Sequence, residues 1–158
     1  MDSNIDKVNI DKVETILRHI VNVQQNCELL GKRLMERGEF ELGKTLIANS
    51  LIHDNSKFFG IEFENLFNVN DPSKLEDAIL HHSSTNPHHP EYWSGIENMP
   101  KIYLAEMIAD WKARTSEFGT SLQEWIDNDA AIKFNYKKGD KTYKRIMYFV
   151  NLMCYNHI

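Results

Sequence analysis

The chain has 158 residues, 42% of them hydrophobic, with four prolines and seven glycines; this excludes the disordered and fibrous classes and suffices for one domain, residues 1–158, with its own core. A net charge of −5 argues against a track for long nucleic acid, and no run approaches the ~20 apolar residues of a membrane span. Two cysteines make no disulfide framework, and the acidic start "MDSNIDKVNIDKVE" has no apolar signal segment, so the sequence predicts a cytoplasmic protein.

Apolar residues at Val13, Ile16, Ile20, Val23, Cys27, Leu30 and Leu34 alternate spacings of three and four, the repeat of one helix face. They predict a long first helix that Gly38 ends. A second runs from about Glu39 through Leu42, Leu46, Ile47 and Leu51 to His53. In "NDPSKLEDAILHH", Asp71 caps a third helix with Pro72 at its first position, and Leu75, Ala78, Ile79 and His82 form its inward face. Pro87 and Pro90 then impose a loop. Pro100 opens a fourth helix bearing Leu104, Met107, Ile108 and Trp111, and Thr120 or Ser121 caps a fifth with Leu122, Trp125 and Ile126. A last helix carries Tyr143, Ile146, Met147, Val150 and Cys154.

No segment shows the period-two repeat of a strand, so the fold class is all-α, a single-domain bundle of five to six helices. Its motif-bearing region spans 13–116 and its C-terminal helices 120–156. Cys27 and Cys154 read as small core residues, and the last helix as core or as the face of a homodimer. The basic "KFNYKKGDKTYKR" reads as a solvated loop leading into a helix, and Asp127 and Asp129 as solvated faces.

Four of the seven histidines crowd into "HHSSTNPHHPEYW", and further candidate ligands sit on predicted helices. His19 flanks the first apolar stripe, His53 and Asp54 end the second helix, and Asp110 lies on an apolar face where a carboxylate is costly unless paired or metal-bound. Imidazole nitrogens combined with carboxylate oxygens suit one or two divalent transition ions, Mn, Fe, Co, Ni or Zn. His82, turned inward, is the better metal ligand of its pair or a proton donor to the leaving oxygen, while His81 orients it or binds substrate. One of His88 and His89, held between prolines, reaches the site. Lys57 stands one turn beyond His53 if that helix continues and there neutralises a phosphoryl oxygen; otherwise it pairs with Glu62 or Glu64. Asn86, Tyr92 and Trp93 either line a substrate pocket, the rings stacking on a base, or pack the loop down. Arg114, one turn after Asp110, suits bidentate phosphate contact or an ion pair with Glu117 or Asp110.

The order His19, His53-Asp54, Asp110 resembles the HD-domain superfamily of metal-dependent phosphohydrolases, named for that doublet on an all-α scaffold. In "LIHDNSKF" a lysine follows the doublet, here Lys57, with Ser56 where a glycine is usual. The stretch "HHSSTNPHHPEYWSGIENMPKIYLAEMIAD" is similar to the second half of the HD-GYP phosphodiesterases: a His pair, a turn-rich loop, a helix-opening proline and an Asp after an Ala. The Gly-Tyr-Pro signature and the acidic residues after the His pair are missing here. The loop is more similar to small bacterial and phage HD-like proteins of no known activity.

The resemblance covers His19 to Arg114 and implies a metal held by His19, His53, Asp54, His82 and Asp110. It implies cleavage of a small phosphoester, a nucleotide above all, by hydroxide generated at the metal, with Asp54, Lys57 and His81 catalytic and with Asn86, His88, His89, Tyr92, Trp93 and Arg114 around the substrate. It also admits an HD-type di-iron oxygenase that cleaves C–C or C–P bonds, and a non-catalytic module that binds a nucleotide or a host partner.

Overall fold

The computed structural model describes residues 3–155 and contains, among them, eight α-helices, three 3-10 turns and no strand. The helices are α1 (Ser3–Glu36), α2 (Phe40–Ser50), α3 (Gly60–Asn65), α4 (Pro72–Thr85), α5 (Lys101–Glu117), α6 (Leu122–Asp127), α7 (Asp129–Lys133) and α8 (Lys141–Cys154). The all-α expectation holds. The expected six helices are joined by α3 and α7, which are too short to show a period in sequence.

The α1 stripe from Ile16 to Leu34 is buried, with His19 in the same row. Gly38 takes φ +87°, and the next N–H, of Glu39, bonds the Leu34 carbonyl at 2.9 Å, which turns the chain back on itself. As a result α2 returns along α1. Gly31 and Gly43 meet at the crossing, where a Cβ on Gly43 would lie 2.3 Å from the Gly31 carbonyl oxygen. That close approach sets the end of α2 against the middle of α1.

Several details depart from the sequence reading. α2 stops at Ser50, whose hydroxyl donates to the Ile47 carbonyl; Leu51 and Ile52 then turn out to solvent, 70% and 72% exposed, and His53 follows in a turn. Ile79, expected on the inward face of α4, is half exposed beside the buried Ala78 and His82. Cys154, expected in the core, is exposed at the end of α8, whereas Cys27 is fully buried.

α5 lies between α1 and α2 on one side and α6 and α8 on the other, which explains why it is buried without a break from Leu104 to Trp111. The side chain of Asn26 on α1 donates to its Ala109 carbonyl at 3.0 Å. Trp111 packs edge-on to Trp125 and stacked on Phe134, each with ring centres 5.8 Å apart. Ser121, not Thr120, caps α6 by accepting from the Glu124 N–H. Asp127 is no solvated face: it accepts hydrogen bonds from Gln123, Tyr143 and Lys138 and ties α6 to α8. No helix among the described residues is long and apolar enough to cross a membrane.

Candidate metal centre

Asp54 is the hub of a buried polar cluster. It occupies the left-handed region at φ 56°, which ends the turn after α2 and aims its carboxylate between α1, α4 and α5. Its Oδ2 lies 3.3 Å from His19 Nε2 and 3.5 Å from His53 Nε2, and its Oδ1 lies 3.2 Å from His82 Nε2 and 3.3 Å from His88 Nε2. His19 Nε2 is also 3.0 Å from Asp110 Oδ1. His53, His88 and Asp110 present ligand atoms within 4.8 Å of one another, as do His82, His88 and His89. Residues from α1, the turn after α2, α4, the loop after it and α5 therefore share one centre.

The opposite nitrogen of three rings is held by a glutamate. His19 Nδ1 bonds Glu117 at 3.0 Å, His53 Nδ1 bonds Glu106 at 2.9 Å and His82 Nδ1 bonds Glu62 at 2.7 Å. With Nδ1 donating to a carboxylate, Nε2 is left as a lone pair facing inward, the arrangement that orients and strengthens imidazole ligands. Glu62 also holds the outlying His81 at 2.8 Å and accepts from the Ser56 hydroxyl. Glu106 and Asp110 stand four residues apart on α5, so a single helix face supplies both a ligand and a support.

The donor set fits a cation. Six buried atoms of the cluster have no hydrogen-bond partner: Nε2 of His19, His53, His88 and His89, and Oδ1 of Asp54 and Asp110. Leaving a buried polar atom unmet costs roughly 1–3 kcal/mol, which favours a cation among them. Two ligand atoms each about 2.1 Å from one ion lie about 3.0–3.4 Å apart for octahedral to tetrahedral angles, and the spacings of 3.0 to 3.5 Å around Asp54 match that edge.

At His19 a cation would compete with a proton, and at His89 it would not. Burial works against the charge on His19, but the Asp110 and Asp54 carboxylates outweigh it and raise its pKa to about 9. Burial likewise opposes ionisation of Asp54 and Asp110, yet His53 and Lys57 beside Asp54, and His19 beside Asp110, hold both below the usual carboxylate range. Burial and the neighbouring His88 and His82 push His89 down to about 2, which keeps it neutral with its lone pair free to ligate.

The structure brings His19, His53, Asp54, His82 and Asp110 together. It adds His88 and His89, of which the sequence offered one as a missing ligand and both as substrate contacts, to the ligand cluster. Lys57 is not on a continuation of α2; a 3-10 turn at Asn55–Phe58 brings its ammonium onto Asp54 Oδ2, and Glu62 is engaged elsewhere. A cavity of about 240 Å³ opens onto the cluster, and Lys57, His82, His89, Asp110 and Arg114 line it.

His81 is half exposed and not among the residues lining that cavity. Nor are Asn86, Tyr92 and Trp93, which hold the loop instead. Asn86 donates to the His82 carbonyl and to Ser56, and Trp93 donates its indole N–H to the Pro87 carbonyl while packing on Tyr103. Arg114 contacts Glu117 at 3.5 Å. Sequence reasoning missed the supporting roles of Glu62, Glu106 and Glu117; the spacing of four between Glu106 and Asp110 was the available signal.

Fold and site together define an all-α protein with a buried His/Asp cluster able to hold a metal ion. The chain belongs to DUF5662, a family of unknown function, which it matches over residues 9–152. Nothing matches it among curated proteins or among solved structures.

Proposed function

We propose that the protein is a metal-dependent phosphohydrolase that cleaves a small phosphoester at two adjacent transition-metal positions sharing Asp54. The observation that carries this reading is the Asp54 carboxylate, one oxygen facing His19 and His53 and the other facing His82 and His88. His19, His53, Asp54 Oδ2 and Asp110 would hold one ion, and Asp54 Oδ1, His82, His88 and His89 the other. When bound, such ions supply Lewis acidity that lowers the pKa of a water and offsets charge on phosphoryl oxygens.

The chain's own residues do the rest. Glu62, Glu106 and Glu117 fix ring orientation, and Lys57, on the cavity wall against Asp54, places an ammonium where negative charge grows on phosphorus-bound oxygens. Arg114 presents a guanidinium on the same wall. In the reaction a water oxygen forms a bond to phosphorus as the ester P–O bond breaks. The alcohol oxygen leaves with that electron pair and takes up a proton released by the attacking water, and for a monoester inorganic phosphate is the second product.

Protein loaded with Mn or Co should release phosphate from small phosphoesters, and Asp54→Ala should abolish the release. A fully loaded protein inert to every phosphoester would defeat this reading. The five imidazoles and two carboxylates also suit iron, which admits a di-iron oxygenase as the second reading. Two irons per chain with oxygen uptake on adding a polyol or phosphonate would select it.

A further inference from the structure

The cavity beside the cluster is small and unevenly lined. At about 240 Å³ it holds the volume of about eight waters at roughly 30 Å³ each and falls below the roughly 300 Å³ at which pockets for drug-sized ligands begin. Apolar residues share its wall with the imidazoles: Ile16, Leu66, Phe67 and Ile79. Phe67 and Ile79 remain 39% and 51% exposed, although both are large enough to reward burial. Exposed apolar side chains ringing a polar centre are the signature of a surface that a ligand covers.

The charges limit the ligand as well. Each cation on the cavity already faces a carboxylate: Lys57 with Asp54, Arg114 with Glu117 and Lys133 with Glu91. These pairs are neutral in sum, so the cavity wall adds little charge to that of the centre itself. The two rings that could have sandwiched a base, Tyr92 and Trp93, lie outside the cavity lining.

We propose that the substrate is a phosphomonoester of a compact apolar alcohol, aryl or short alkyl, whose organic group packs on Phe67 and Ile79 while its phosphoryl group meets the His/Asp cluster. This deepens the phosphohydrolase reading and rests on it for the chemistry, but not for the shape of the ligand.

The test is calorimetric binding of methyl-, propyl- and phenylphosphonate and of an adenosine phosphonate to the Mn-loaded protein, with phosphate release from phenyl phosphate measured in parallel. Affinity should rise about fourfold for each methylene buried, so that phenylphosphonate binds at least tenfold tighter than methylphosphonate and tighter than the adenosine analogue. Phe67→Ser and Ile79→Ser, both at partly exposed positions, should flatten the series. A flat series in the unmodified protein, or preference for the adenosine compound, overturns the inference whether or not phosphate is released. A graded series without phosphate release upholds the ligand class and overturns the hydrolase chemistry instead.

Discussion

Two polar clusters sit within this helical bundle, and they are built on opposite principles. Around Asp127 every group is answered: Oδ1 accepts from Gln123 and the Tyr143 hydroxyl, each at 2.9 Å, and Oδ2 accepts from Lys138 at 2.7 Å. Around Asp54 the outward nitrogens are answered by glutamates, whereas the inward atoms converge at coordination spacing, with Lys57 on Asp54 Oδ2 and six others without a hydrogen bond. A satisfied cluster is a clamp between helices. One left unsatisfied on a single side is a receptacle, because its desolvation cost is met only when a cation arrives.

The sharpest way to break this contrast is Asp54→Ala, which removes the carboxylate common to both ligand sets. Metal affinity should fall at least a hundredfold, read by elemental analysis after gel filtration, and unchanged metal content would dissolve the distinction. Next come the supports: Glu106→Gln and Glu62→Gln should each weaken metal binding by about 10–100-fold in competition titrations, with full occupancy restored at saturating metal. Asp127→Asn should leave metal affinity where it is.

Gly43→Ala tests whether the centre depends on the α1–α2 crossing. The new methyl would clash with the Gly31 backbone, so a loss of about 1–3 kcal/mol is expected. At about 2–4 °C per kcal/mol for a chain of this size, thermal melting should register it.

A smaller effect distinguishes the metal-free state. The His19 pKa is raised from 6.5 to about 9, so its contribution to stability is complete below pH 6.5 and is lost as pH climbs through 9. Chelated protein should therefore melt at progressively lower temperature across that window. Metal-loaded protein, in which the imidazole is neutral throughout, should not follow it. The smallest effect belongs to the clamp, where Asp127→Asn should cost about 1 kcal/mol in chemical denaturation.

Much of this could be read from the chain itself. The three-four repeat from Val13 to Leu34 marks α1 and its buried face, Asp71-Pro72 marks the start of α4, and Asp110 on an apolar face announces a carboxylate in need of a partner. Other features could not be read this way. Glu62 lies in a six-residue helix with no period to reveal its direction, and Ile79 is left half exposed on the flank of α4. His88 enters the cluster because Trp93 and Asn86 pin the loop from either side, contacts that no local pattern announces.

What the sequence alone determined is whatever repeats along the chain: helix positions, buried faces and the chemical types of the ligands, since periodic burial and backbone propensity act over a few residues. Which nitrogen faces inward, which glutamate supports it, and the meeting of α1, α4 and α5 at Asp54 were decided only by tertiary structure. Those contacts join residues tens of positions apart, and their geometry exists only once the helices have packed.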